Sequence, residues 1–144
     1  MHLATPVLRV RRVALAYAPV IVPLARLWYT GDARATVPHP IVYAFGLAPF
    51  GLKLTGEIGK HRIYYSSAVG GIWSNHDVPV PRSSAFNVTM EFGGGVEIHT
   101  WADHALQMGF KFHHLSNVYQ APENPGLDAN MVYVGWRSVT RLGW

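Results

Sequence analysis

From Ala85 to Thr100 the chain alternates apolar and polar residues, a period of two that an extended strand satisfies and a helix does not. Phe86, Val88, Met90, Phe92, Val96 and Ile98 fall in one row; Asn87, Thr89, Glu91, Glu97 and His99 fall in the other. Gly93-Gly94-Gly95 lies in the middle, where missing side chains relieve crowding or allow a bend. Strands of globular proteins are usually about 5–6 residues long. A tilted strand needs about 9–11 residues to cross the hydrocarbon of a bilayer. A strand of this length with one apolar row is expected in a membrane barrel, where apolar residues face lipid and polar ones face inward.

A second strand of the same kind runs from Ala105 to Leu115. Leu106, Met108, Phe110 and Phe112 form its apolar row and Gln107, Gly109, Lys111 and His113 the opposite one. Trp101 to His104 reads as the turn between the two. Further strands are predicted over 8–17, 20–29, 41–47, 50–55, 62–74 and 130–139, with tight turns near 56–61 and a proline-bearing loop over 75–84. Eight candidate strands are the smallest usual number for a membrane barrel. The first two can also be read as one.

Composition narrows the class further. The chain has 144 residues, enough for one domain spanning 1–144. Only 14% of residues are charged and 49% are hydrophobic, whereas soluble domains carry about 25% charged residues. No apolar run is long enough for a spanning helix. The net charge of +4 is scattered, apart from Arg9, Arg11 and Arg12, and forms no stripe or motif for nucleic acid; attraction to an anionic lipid surface is its more natural use. Arg9, Arg11 and Arg12 followed by Val13 to Ala25 superficially resemble a signal peptide. Pro19 and Pro23 break that stretch and no small-residue cleavage site follows, so strands are expected there. The absence of cysteine excludes disulfides, thiolate metal sites and a cysteine nucleophile.

The chemistry concentrates at the end of the Ala105 strand. Residues i and i+2 share a strand face, so His114 and Ser116 continue the row of Leu106, Met108, Phe110 and Phe112. An imidazole and a hydroxyl that extend an apolar row predict a hydrolase whose substrate arrives from lipid. Ser116, His114 and Asp128 supply the nucleophile, base and acid of a serine hydrolase. Asp128 follows the loop Pro122-Glu123-Asn124-Pro125-Gly126 and precedes the last strand, which returns antiparallel beside His114. Asn117 is placed to donate a side-chain or backbone N–H to the oxyanion. Read alone, His-x-Ser is far more often an ordinary polar strand end than a catalytic pair. His39, His61, His76, His99 and His104 form no metal-ligand pattern, and no Gly-x-Ser-x-Gly elbow occurs; no metal or cofactor is expected. Trp28, Trp73, Trp101, Trp136 and Trp144 fall near strand ends or turns, where an interfacial belt or plain packing would place them.

His114-Leu115-Ser116-Asn117, a loop with Asn124-Pro125-Gly126, and an acid twelve residues after the serine together resemble the lipid A 3-O-deacylase family of the PagL type. Gly46 to Leu52, Val78 to Pro81, Phe86 to Thr89 with Gly93 to Val96, and Tyr133-Val134-Gly135 also look similar to that family and to acyloxyacyl hydrolase-like relatives. The resemblance covers roughly Val20 to Val139. It implies an all-β, antiparallel, eight-stranded outer-membrane barrel of a Gram-negative bacterium that hydrolyses the ester-linked 3-position acyl chain of lipid A within lipopolysaccharide. It assigns His114 as base, Ser116 as nucleophile, Asn117 to the oxyanion hole and Asp128 to the acid position, which is glutamate in the founding members. Glu123 is the other carboxylate in reach, at a spacing that does not match. The chain begins close to the family's second strand, which leaves a missing N-terminal strand open, and it extends past the expected last strand as Thr140 to Trp144. A homodimer is also left open. The rivals are a non-catalytic outer-membrane barrel with a degenerate site and a soluble lipid-binding barrel; the latter would put the Phe86 and Leu106 rows inside.

Overall fold

A computed structural model describes residues 4–31, 33, 37–100 and 104–138. The chain is all-β, with eight antiparallel strands in one sheet. They are β1 (Thr5–Val10), β2 (Val13–Tyr17), β3 (Val20–Trp28), β4 (Ile41–Ile58), β5 (His61–Val78), β6 (Ser84–His99), β7 (His104–Ser116) and β8 (Leu127–Ser138). Of the turn expected over Trp101 to His104, residues 101–103 lie outside the described residues and His104 opens β7; the tail from Thr140, with Trp144, also lies outside them. Among the described residues, no helix is long and apolar enough to cross a membrane.

The strands follow the order β1-β2-β4-β5-β6-β7-β8, with β3 also paired to β4. β2 lies along Leu52–Gly56 of β4 and β3 along Ile41–Ala48, so the two run end to end on one partner. Pro19, which has no N–H, falls in the gap between them. Ala18 N–H still donates to Gly51 O at 2.8 Å. The approach is so close that a Cβ on residue 51 would come within 2.0 Å of Ala18 O, which only glycine avoids.

The count of eight agrees with the sequence reading, but the division differs at two places. The single strand expected over 8–17 is cut by a turn in which Arg11 has φ 53°. The segments 41–47 and 50–55 fuse into the 18-residue β4. Pro49 falls in a register shift between Leu47 and Phe50, where one residue needs no ladder bond. Proline therefore ends a strand at position 19 and is absorbed at 49. β5 also continues to Val78, so the loop expected over 75–84 shrinks to 79–83.

One face of the sheet is polar and enclosed; the other is apolar and open. On β6, Asn87, Thr89, Glu91 and Glu97 are buried, whereas Met90, Phe92, Val96 and Ile98 are exposed. Met108 and Phe110 on β7 and Val132, Val134 and Trp136 on β8 continue the exposed face. Trp28 and Trp73 are exposed as well. The enclosed face holds Glu97, which is paired with Lys53, Arg62 and Arg137 and accepts from Gln107 at 2.7 Å. Lys111 pairs with Glu91 at 2.6 Å. The Tyr64 and Tyr133 hydroxyls meet at 2.5 Å. Their strands, β5 and β8, are three places apart, a separation of about 14 Å in a flat sheet. Contact across it requires a tightly curled sheet. Among the described residues the path runs from β1 to β8 without a register joining those two strands. The soluble-barrel alternative needs the Phe86 and Leu106 rows on the enclosed face; they lie on the other one.

Candidate active site

The β7–β8 register positions the site. The two strands pair without a shift, and this makes His114 and Asp128 direct cross-strand partners. Directly opposed residues on one face have Cβ atoms about 4.5–5.5 Å apart, close enough for a short acid to reach an imidazole. His114 Nδ1 and Asp128 Oδ1 are 2.6 Å apart. Both side chains open to the outer face, with 38% and 65% of their surface accessible. Gly126, at φ 69°, turns the loop back into β8. A Cβ there would stand 3.4 Å from His114 Cε1, so the small residue also leaves room for the ring. Glu123, by contrast, enters the loop's bonding through its main chain.

Ser116 is the last residue of β7, opposite Val88 of β6. Its hydroxyl donates to Asn124 Oδ1 at 3.1 Å and accepts from Val118 N–H at 3.2 Å. The hydroxyl proton is thus directed at Asn124 and not at the histidine two residues back. Asn117 is on the opposite side of the strand and only 1% exposed. Its side-chain Nδ2 donates to Glu123 O at 2.7 Å, and its backbone N–H donates to Asn124 Oδ1 at 3.1 Å. The side-chain amide of Asn117 is therefore a brace for the loop in this geometry, and its backbone N–H shares the Asn124 Oδ1 acceptor with the Ser116 hydroxyl.

Val118 and Tyr119 follow with φ of 53° and 60°. A left-handed conformation is unusual for any side chain and rarer for a β-branched one. It persists because the surrounding bonds hold it: Gln120 N–H donates to Asn117 O at 3.0 Å, and Asn117 holds Glu123. The result is a Val118 N–H aimed back at Ser116 Oγ.

Asn124 is the residue that the sequence reading passed over. It was visible only as the first member of Asn-Pro-Gly, with nothing in the local pattern to say that its amide returns to Ser116. The loop is anchored on its far side as well, since Glu123 N–H donates to Arg82 O at 3.2 Å. Nearby, the Tyr29 hydroxyl donates to Pro79 O at 2.7 Å, and burial raises its pKa above the ordinary phenol value. This bond ties the segment after β3 to the loop between β5 and β6.

No curated protein and no solved structure matches the chain. A family model does: that of lipid A 3-O-deacylase (PagL), over residues 22–137. The match runs from β3 to β8 and contains the His114–Asp128 pair, Ser116 and the loop between them. The chain belongs to the lipid A 3-O-deacylase (PagL) family.

Proposed function

We propose that the protein is a serine esterase embedded in the outer membrane of a Gram-negative bacterium, where it removes the ester-linked 3-position acyl chain of lipid A. The observation that carries this reading is the 2.6 Å His114–Asp128 bond on the open, apolar side of the sheet, two residues from a serine on the same face. With Nδ1 engaged by Asp128, Nε2 is the nitrogen that takes the Ser116 proton. Ser116 Oγ then adds to the ester carbonyl. The backbone N–H groups of Asn117 and Val118 stabilise the oxyanion once the Asn124 amide yields to substrate. Collapse breaks the ester C–O bond, and His114 returns its proton to the departing sugar hydroxyl. Water, deprotonated by His114, hydrolyses the acyl-serine and frees the 3-hydroxy fatty acid. Asp128 holds the tautomer and stabilises the imidazolium throughout.

The membrane placement rests on the exposed faces. Phe110 is half exposed and Val132 is 83% exposed, and a water-soluble barrel would not leave such rows open. An acyl chain lying along Phe110 and Phe112 reaches Ser116 without leaving lipid. Closure of the curled sheet between β1 and β8 belongs to the same reading.

The test is the mass spectrum of lipid A from cells expressing the protein in exported form. The expected result is loss of one 3-hydroxyacyl chain with the wild type and no change with Ser116→Ala or His114→Ala, each of which should lower the rate by several orders of magnitude. All three proteins should show the heat-modifiable migration of a folded barrel. Full deacylation by Ser116→Ala would overturn the mechanism. A folded wild type that leaves lipid A intact would favour a barrel with a degenerate site.

A further inference from the structure

We infer that Arg82 is a specificity-determining residue that binds a phosphate group on the headgroup of the lipid substrate; the inference rests on the esterase reading above and deepens it. Arg82 lies in the 79–83 loop, at the end of the sheet where Ser116 sits. Both of its main-chain groups are occupied. Its N–H donates to Asp77 Oδ2 at 3.2 Å, and its carbonyl accepts from Glu123 N–H at 3.2 Å. Glu123 is held in turn by Asn117, the neighbour of Ser116. A continuous hydrogen-bonded path therefore fixes the Arg82 backbone to the loop that follows Ser116.

The residue has φ 66°, a conformation that favours glycine, yet a long cationic side chain stands there. That side chain is exposed and has no carboxylate partner among the described residues. The contrast with the other cations is informative. Arg9, Lys53, Arg62, Lys111 and Arg137 are each paired with a glutamate. Arg26 lies over the Trp28 ring, and Arg11, Arg12 and Lys60 belong to turns at the opposite end. Among the described residues, Arg82 is the one Lys or Arg in the loops at Ser116's end.

A guanidinium there stands beyond the apolar rows, in the layer where the headgroup of a lipid whose acyl ester reaches Ser116 must lie. Planar, paired N–H donors suit a phosphate oxygen pair better than a lone ammonium does. The neighbouring carboxylates sharpen the requirement. Asp77 is turned to the Arg82 N–H and Asp128 to His114, while Glu123 is exposed. An anionic headgroup thus gains only by direct contact with the guanidinium.

The test compares kcat/KM on phosphorylated lipid A and on the same lipid A after enzymatic removal of its phosphates, in uncharged detergent micelles. The wild type should prefer the phosphorylated lipid by about tenfold, the equivalent of one charge-assisted contact. Arg82→Gly, which keeps the left-handed backbone, should bring that ratio close to one through KM; Arg82→Lys should retain part of it. A purely structural role would lower both rates together and leave the ratio unchanged, which would overturn the inference. So would equal kcat/KM of the wild type on both lipids. Inorganic phosphate at millimolar concentration should not compete; competition without discrimination between the two lipids would make this a free-anion site and overturn the headgroup assignment. If no ester is hydrolysed, the esterase reading fails on its own, and retention of the protein on vesicles of each lipid in a neutral phospholipid still tests Arg82. Equal retention of wild type and Arg82→Gly on the phosphorylated vesicles would overturn the proposal.

Discussion

At the scale of single residues, the acid position is the most informative. Aspartate is one methylene shorter than the glutamate that the family resemblance leads one to expect, and the β7–β8 register compensates by placing it directly across from His114. Under the proposed mechanism the carboxylate accepts from Nδ1 and offsets the charge on the imidazolium. Asp128→Asn keeps the shape but loses the charge, and turnover on lipid A should fall by at least about a hundredfold, within the range for loss of such an orienting acid. Asp128→Glu should keep activity within about tenfold of wild type, because only a modest loop adjustment is required. Glu123→Gln should behave as wild type, since that residue serves the loop through its main chain. An active Asp128→Asn beside an inactive Glu123→Gln would show that the wrong carboxylate has been assigned.

At the scale of elements, β6 and β7 determine which way the chemistry faces. Their register is continuous from Val88↔Ser116 to His99↔Ala105. A slip of β7 by one residue would turn His114 and Ser116 to the enclosed side and put Lys111 on the open apolar face, away from Glu91. The glycines of β6 permit this close pairing. A Cβ on Gly95 would come within 2.1 Å of Met108 O and 2.7 Å of Gly109 Cα, both backbone atoms that cannot swing aside. Gly95→Ala should therefore destabilise the folded protein by about 1–3 kcal/mol, the usual range for overpacking. Gly135→Ala, where the nearest atom is 3.7 Å away on a flexible glutamine, should be close to neutral. Urea midpoints of the heat-modifiable form in detergent give both values. Equal midpoints for the two variants would mean that β6 pairs less tightly than described.

At the scale of the whole molecule, the fold inverts the usual order of a soluble protein. The apolar buried cluster is small, formed by Val20, Ala48 and Ala68, and the interior is held by charge. Glu97 is 3% exposed and balances Lys53, Arg62 and Arg137. Removing a buried partner leaves the others desolvated without compensation, which typically costs about 3–5 kcal/mol. Glu97→Gln should accordingly lose that much stability, far more than a polar substitution of exposed Arg9, whose pair with Glu57 is worth about 0–1 kcal/mol. Denaturation of folded barrel in detergent would measure the difference. A Glu97→Gln protein as stable as wild type would mean that hydrogen bonds, not charge, hold the interior.

Much of this was legible in one dimension because it is local. Period-two alternation reports a strand and its two faces wherever it occurs, so the rows of Phe86 and Leu106, the shared face of His114 and Ser116, and the family motif could all be read directly. Strand division was less legible. A proline weakens a ladder wherever it falls, but whether it ends a strand, as at Pro19, or is absorbed by a register shift, as at Pro49, depends on the partner strand. The remaining decisions required pairing between segments far apart. The β7–β8 register brought Asp128, and not Glu123, across from His114; the return of the loop brought Asn124 to Ser116; the curl of the sheet gathered Lys53, Arg62, Glu97 and Arg137 into one interior network. Alternation fixes where a side chain points relative to its own strand, whereas its partners follow from the hydrogen-bond ladder and the curvature of the sheet, which no single segment encodes.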